Sequence, residues 1–498
     1  MSSLWTNQMT TVTRRNHDHT QLPRFGRHAM RGARGRRAVA AAATLLFAAG
    51  TLAACGDSDS DGGGSGDSSE SITVWIEEDL PDRVQATQDI VDDFTKATGV
   101  KVKLVAVAED QFNQLLTSSA AAGDLPDVMG GIPLGQIQTM GSNDLVDTDA
   151  VAEVLDELDA STFSERALEL VQDDGTTLAV PSESWAQLLF YRKDLFDQAG
   201  LSAPSTYDDI LNAAQTLDSG DVAGFVGATA PGDAFTEQTF EHVALGNGCE
   251  LVDDDGSVTI GDPACVDALS FYGQLVNDYS VPGAQDVDTT RASYFAGQAA
   301  MFIWSTFVLD EMAGLRNDAM PTCAECKKDP AFLAKNTGVV TTIQGPDSDQ
   351  PAVFGEVTSW TITADSATDP AKKFVEYMLG DGYEPWVAIA PEGKVPVRTG
   401  TPDDPSAFSD AWAAMPVGVD TKAPLSDFYS QDVLDALAAG PSELARWGIS
   451  QGQGDLVGAL QGEQPVATAV NDVTSGSDPA DVASKLADQI TDIQGTLP

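Results

Sequence analysis

Histidine is nearly absent from this sequence: there are four in 498 residues, and His17, His19 and His28 all precede Cys55. Only His242 remains downstream, so a Ser-His-Asp triad or a His-rich zinc centre would have to rest on one side chain. His242 lies in a helical stretch beside Glu241 and reads as structural. Cysteine is almost as sparse. After Cys55 come Cys249, Cys265, Cys323 and Cys326, and the Cys323-Ala324-Glu325-Cys326 spacing has no His nearby and no second CxxC, which disfavours redox and zinc chemistry. No GxxxxGK[ST] run exists, because Gly393-Lys394 is followed by Val395, so P-loop nucleotide hydrolysis is excluded. Asp57, Asp59, Asp61 and Gly62 open like a calcium loop, yet Ser68 stands where a bidentate Glu is needed. No metal and no cofactor is expected.

Positive charge is the next scarcity, with 27 Lys and Arg against 76 Asp and Glu. Eight of those bases, all Arg, and a single acid, Asp18, precede Cys55, which leaves a body of 19 bases against 75 acids, near −56. Such a body repels phosphate backbones and anionic headgroups, which argues against nucleic-acid partners and peripheral electrostatic membrane binding. A solvated, aggregation-resistant surface is the plain reading of the excess. Long hydrophobic runs are missing from the body too. Tyr294 to Leu309 is its most apolar stretch, but Gln298, Ser305 and Thr306 interrupt it, and its length suits a buried element.

The start of the chain is different. Basic residues up to Arg37 precede an uncharged apolar run, AVAAAATLLFAAGTLAA, the arrangement of a secretory signal. The run ends in Leu52-Ala53-Ala54-Cys55, which resembles the lipobox of bacterial lipoproteins, where the Cys thiol takes a diacylglyceryl group. Residues 1–54 therefore read as a signal peptide, Cys55 as the lipidation site, and Met30 as a second candidate translation start beside Met1. Residues 55–70 are chiefly Gly, Ser and Asp and read as a tether. An exported location also suits the four remaining cysteines as two disulfides, Cys249 to Cys265 and Cys323 to Cys326, although four cysteines allow three connectivities.

Beyond the tether, strand and helix signals alternate. Ile72, Val74 and Ile76 alternate along a strand; Val84, Ile90, Val91, Phe94 and Ala97 mark one face of a helix closed by Gly99. Val100 to Val107 alternates again, a helix carrying Phe112, Leu115 and Leu116 follows, and a third strand begins at Val128. This β-α-β-α-β order argues for a parallel sheet with helices on both faces, whose ligands bind beyond the carboxyl ends of the strands. Trp75, within the first strand, reads as core. Further helices are expected at Val151 to Leu158, Leu195 to Ala199, Tyr207 to Leu217, Ala264 to Tyr279, Ala371 to Leu379 and Pro479 to Ile493. Asp253-Asp254-Asp255-Gly256 is a hairpin turn signal.

A series of segments in order resembles the extracellular solute-binding proteins of ABC importers, in the sugar-binding group that includes maltodextrin-binding proteins. ITVWIEEDL (Ile72 to Leu80) looks like the first strand and its ligand-facing loop, DDFTKATGVKV like the following helix, turn and strand, and AAGDLPDV like the entry to the third strand. AVPSESWAQLLFYRKDLFDQAGL (Ala179 to Leu201) resembles the first crossover between lobes. LGNGCELVDDDG and FAGQAAMFIWSTF match second-lobe motifs, while GEVTSWTI and APEGKVPVR look like the return crossover and the end of lobe one. The sequence departs from the group at Cys249, at Arg192 and in the insertion holding Cys323 and Cys326.

The resemblance implies a two-lobed α/β periplasmic-binding-protein-like fold of type II, hinged about a ligand cleft. Lobe one would span 71–181 plus 361–410, and lobe two 182–360 plus 411–498. It implies a non-enzymatic monomer that holds a carbohydrate, partners the membrane permease subunits of an ABC importer, and sits on the extracellular face of the membrane by its lipid. Sugars present hydroxyls and a C–H face, so their clefts combine aromatic platforms with Asp, Glu, Asn, Gln or Arg. On that basis the ligand-binding candidates are Glu77 and Glu78 after the first strand, and Trp185 in the crossover among Glu183, Ser184 and Gln187. Gln238, with Glu237 as alternate, Trp304 and Phe307 would come from lobe two. Glu356 and Trp360 lie in the return crossover, Arg398 ends a Gly- and Pro-containing loop, and Trp447 beside Arg446 lies in the tail. Three other readings remain open: an exported glycoside hydrolase using paired carboxylates such as Glu77 and Glu183, a surface adhesion or sensor module built on the same two lobes, and a binder of a non-sugar ligand such as a polyamine.

Overall fold

The computed structural model describes residues 70–173 and 175–497. The signal peptide, Cys55 and most of the tether lie outside the described residues.

Lobe one begins with β1 (Ser71–Glu77), α1 (Pro81–Thr98), β2 (Lys101–Val107), α2 (Glu109–Ala122) and β3 (Val128–Ile132). The three strands are parallel in the order β2-β1-β3. Pro81 opens α1, where its missing N–H costs no helical hydrogen bond, and Ile90, Val91 and Phe94 form its buried stripe. Trp75 is buried and meets Phe112 edge to face. Next come α3 (Leu134–Ser142) and α4 (Thr148–Leu158), the latter capped by the Asp147 side chain on the Ala150 N–H.

The waist is built from long strands. β4 (Val180–Arg192) has thirteen residues, of which eleven are buried, so neither face shows the alternation of a half-exposed strand. Lobe two then supplies α5 (Tyr207–Leu217), α6 (Ala234–Gly246), α7 (Pro263–Tyr279), β5 (Met301–Ser305) and β6 (Thr337–Val340), and the chain returns along β7 (Val353–Ile362). The first half of β4 pairs antiparallel with β7, and its second half pairs with β5 and β6. The far half of β7 pairs with β3. One strand each way thus belongs to both lobes. The register of β4 on β7 shifts between Pro181 and Glu183, next to the residue that has no N–H to donate.

After α8 (Thr368–Leu379) the chain returns to the waist as β8 (Val395–Pro396), which pairs with Glu183 and Ser184, and the tail adds β9 (Leu444–Ala445) on Val353 and Phe354. The nine strands form one sheet path, β8-β4-β7-β3-β1-β2, with β9 on β7 and β5 and β6 on β4. Three tail helices follow: α9 (Gly454–Glu463), α10 (Pro465–Thr474) and α11 (Pro479–Gln494). α9 seats on α3 of lobe one at very short range; a Cβ on Gly458 would come 2.4 Å from Thr139 Oγ1, so glycine is needed there. Each helix expected from the sequence is present, within a few residues at its ends.

Cys249 and Cys265 are joined with Cα atoms 4.7 Å apart, tying the turn after α6 to the start of α7, and Cys323 and Cys326 are joined at 4.9 Å. Val252 bridges Val258 across the Asp253–Gly256 turn, whose Asp253 carboxylate accepts from the Asp255 and Ser257 N–H groups. Among the described residues no cluster of His, Cys, Asp and Glu is arranged to hold a metal ion, and no helix is long and apolar enough to cross a membrane.

Candidate functional site

Antiparallel pairing puts Trp185 opposite Glu356 and therefore on the same side of the waist, and Gln187, two residues on, shares that side. Trp185 is only half-buried. Its ring lies 5.9 Å from Phe354 and 6.5 Å from Phe307, so one part of the indole is packed and another uncovered. Gln187 is wholly buried, yet neither its amide nitrogen nor its amide oxygen has a hydrogen-bond partner. Leaving such a group unpaired costs about 1–3 kcal/mol, which marks the place where a polar solute is wanted.

Glu356 is the junction of the two lobes. Its Oε1 accepts from the Leu134 N–H at 2.9 Å, where α3 of lobe one begins, and its Oε2 accepts from the Arg446 guanidinium. Arg446 also donates to Glu241 of α6 at 3.3 Å and lies 4.7 Å over the Phe354 ring. The same Glu241 oxygen accepts the Trp447 N–H at 2.8 Å. One guanidinium is thereby held by two buried carboxylates, one on the return strand and one on lobe two.

Around this pair are carboxyls with less support. Glu77, at the carboxyl end of β1, accepts from Gln136 Nε2 at 2.9 Å. Burial pushes its pKa up to about 8 against that hydrogen bond, and the charges of Glu109 and Glu356 add to the rise. Glu237, one turn before Glu241 on α6, has an unpartnered buried Oε2. Burial, with the Glu241 charge adding and Arg446 opposing, pushes it to about 8 as well. Near neutral pH both therefore hold protons and can donate as well as accept, which suits hydroxyl partners.

Other candidates are placed differently. Glu78 turns back on its own loop, accepting from the Asp79 and Leu80 N–H groups at 3.0 Å and pairing with Arg83 at 3.4 Å. Gln238 is half-buried on α6. Trp304 is buried against Phe235, donates to the Val287 carbonyl at 3.1 Å and carries Arg291 above its ring at 5.6 Å. Phe307 is half-buried, edge-on to Trp185. Trp360 is fully buried in lobe one, edge-on to Trp386 and Phe374, and Trp447 is buried against Phe240 with its Nε1 on the Cys249 carbonyl at 2.8 Å. Arg398, another ligand-binding candidate, spends its guanidinium inside lobe one on the Leu158 and Leu379 carbonyls and Thr162 Oγ1. These three side chains hold the fold together at positions where the resemblance put ligand contacts. The sequence singles out none of Gln187, Gln136 and Arg446 as a site residue; Gln187 carries a signal in its alternation with Trp185, whereas nothing in the sequence brings Gln136 to Glu77.

His242 is buried, its pKa pushed down to about 3 by burial, and its Nδ1 accepts the Phe354 N–H at 3.1 Å. It is a neutral structural group. Glu183, the suggested hydrolytic partner of Glu77, is bound by Lys394 Nζ at 2.5 Å and Trp386 Nε1 at 2.8 Å. It has no freedom to shuttle a proton at Glu77.

Two α/β lobes sharing crossing strands, with a half-exposed indole and unpartnered buried polar groups on one side of the waist, are the architecture of a two-lobed binding-protein fold. The chain belongs to the bacterial extracellular solute-binding protein family, whose model matches residues 78–385; this is a family of binding proteins rather than enzymes. Over 307 residues, 60% of the chain, it is 30% identical to YcjN of Escherichia coli (strain K12), named as a periplasmic-binding protein of an ABC transporter. Over 37% of the chain it is 26% identical to the arabinooligosaccharide-binding protein of Halalkalibacterium halodurans. The matches span 66% and 42% of those relatives, less than two thirds of each. Among solved structures, the GacH receptor of Streptomyces glaucescens, determined free and with acarbose, matches at TM-score 0.65 and 19% identity, covering 86% of this chain and all of that one. A sugar transporter from Arthrobacter chlorophenolicus with bound laminaribiose matches at TM-score 0.64, 19% identity and the same coverage. At such identities these structures speak for the two-lobed fold.

Proposed function

We propose that the protein captures a carbohydrate in the waist groove and delivers it to the permease subunits of an ABC importer, anchored outside the cell by a lipid on Cys55. The observation that carries the carbohydrate reading is the pairing of a half-exposed Trp185 with wholly buried, unpartnered Gln187 on the same side of the crossing strands. An indole suits the C–H face of a sugar ring, and an amide with a free donor and a free acceptor suits adjacent hydroxyls. Protonated Glu77 and Glu237 add two more groups able to do both. Sugar-binding relatives with the same fold support the reading.

The lobes close on the ligand by bending at β4 and β7, and the closed form docks on the permease. The ligand leaves unaltered. The lipid at Cys55 and the secretory leader rest on the sequence, and metabolic labelling with a radioactive fatty acid, lost in Cys55→Ala, tests them.

A thermal-shift screen of mono- and oligosaccharides, polyols and polyamines tests the ligand class, since whatever binds the native state raises the melting temperature. At least one saccharide should raise it. A rise with polyamines alone would replace the sugar by a cation, and silence across every saccharide would remove the carbohydrate reading.

A further inference from the structure

Where Phe307 of lobe two meets the loop around Gly393 of lobe one stand three buried carboxyls. The short helix Val308–Met312 of lobe two contributes Asp310 and Glu311, and the loop before β8, reaching over from lobe one, contributes Glu392. Each is at most 3% exposed. Asp310 Oδ1 and Glu392 Oε2 have no hydrogen-bond partner, and the Glu392 charge acts directly on Asp310.

The lobes touch here. Arg83 of α1 lies 5.3 Å over the Phe307 ring, and the same ring covers Gly393, where a Cβ would come within 2.1 Å of it. Only glycine lets the lobe-one loop approach so closely. Phe307 in turn meets Trp185, so this contact adjoins the ligand groove.

The bases present do not balance the acids. Arg83, Arg316 and Arg291 face the cluster, but each also serves a carboxylate outside it: Glu78 at 3.4 Å, Asp318 at 2.8 Å and Asp288 at 2.7 Å. Inside the cluster Glu311 takes the direct pairs, with Arg291 at 3.0 Å and Arg316 at 3.9 Å. Three guanidiniums therefore serve six carboxyls. Tyr429, the remaining titratable group facing Asp310, donates to the Leu309 carbonyl at 2.8 Å and stays neutral.

We propose that closing the lobes takes up a proton at this contact, held by the Asp310 and Glu392 carboxyls, so that the closed form is favoured in acid and gives way to the open form as pH rises. This rests on the hinged reading above and is independent of which ligand binds. Burial pushes Asp310 up to about 8, with the Glu392 charge adding and Arg316 and Arg83 opposing. Burial likewise pushes Glu392 and Glu311 up to about 7. When the lobes part, water reaches Asp310 and Glu392 and the ordinary carboxylate range returns. Because the values are raised in the closed form, its proton-linked advantage is complete in acid and is lost as pH rises through 7 to 8. Between the ordinary carboxylate range and that window, each pH unit shifts the closed-to-open ratio about tenfold for one proton, and above it the ratio no longer changes.

Small-angle scattering of the purified, unliganded chain at about pH 6 and about pH 9, either side of that window, reads the lobes directly. The radius of gyration should be larger at the higher pH. Asp310→Asn keeps the shape and removes the charge, so it should stay compact at both; Glu392→Gln should do the same and serves if the first variant fails to fold. An unchanged radius in the wild-type chain overturns the proposal. So does an expansion that persists undiminished in the folded variants. Neither outcome bears on the carbohydrate reading, which the thermal-shift screen tests separately.

Discussion

Trp185 and Trp360 show how two chemically identical side chains part company. Trp185 keeps some of its indole uncovered, whereas Trp360 is wholly buried against Trp386, Phe374 and the backbone at Gly130. For any saccharide that binds, Trp185→Ala should weaken affinity at least tenfold, about 1.4 kcal/mol, in a calorimetric titration, with little change in melting temperature. Trp360→Ala should do the reverse: a cavity in lobe one costing about 3–5 kcal/mol of stability, read by denaturant titration. The sequence could not separate them. Both are Trp in a crossover segment, and burial is decided by partners such as Trp386 that arrive from elsewhere in the chain. Arg398 teaches the same lesson, since its Leu158 carbonyl acceptor on α4 is 240 residues away in sequence. Trp75 was legible because its own strand alternates and a helix follows at once.

At the scale of elements, α6 carries more than one role. All but two of its thirteen residues are buried; it delivers Glu237 and Glu241 to the waist and His242 to the β7 backbone, and its end is tied by Cys249 to Cys265 at the start of α7. Removing that tie by Cys249→Ser with Cys265→Ser should cost about 3 kcal/mol in the chain-entropy account of a loop this long, measured by urea unfolding. Equal stability with and without the pair would assign it no such role. A second outcome concerns pH. Burial raises Glu77 and Glu237 to about 8 in the folded chain, above their unfolded values. Their contribution is therefore complete in acid and is lost as pH rises through about 8. The melting temperature should fall as pH rises from about 5 to about 8 (roughly the interval between the unfolded and folded values), and Glu237→Gln should flatten part of the fall. The helices α1, α5 and α7 were readable because each buries one periodic stripe under clear end signals. β4 was not readable as one strand of thirteen residues, because a strand buried on both faces has no alternation to show.

For the whole molecule, the β-α-β-α-β start gave the parallel part of lobe one, and the order of motifs gave the second lobe and the two crossings. What no local pattern contained was the way β8 and β9 return to the waist and α9 seats on α3, contacts that join segments distant in the sequence. The same long-range closure brings Arg446 of the tail between Glu356 of β7 and Glu241 of α6. Cutting this junction with Arg446→Ala would strand two buried carboxylates, so it should destabilise the fold by about 3–5 kcal/mol rather than merely loosen ligand binding; calorimetric unfolding without ligand measures it. Charge acts at this scale too: a body near −56 repels polyanions, whereas an uncharged sugar, the ligand proposed above, is a guest it does not repel.

The most direct measurement is a crystal structure of the chain grown with the saccharide that raises its melting temperature most. Density for that sugar should lie between the lobes, with a ring face on Trp185 and hydroxyls within hydrogen-bond reach of Gln187 and of Glu77 or Glu237. Clear density for it elsewhere on the molecule, or a sugar found cleaved at the waist, would contradict the account.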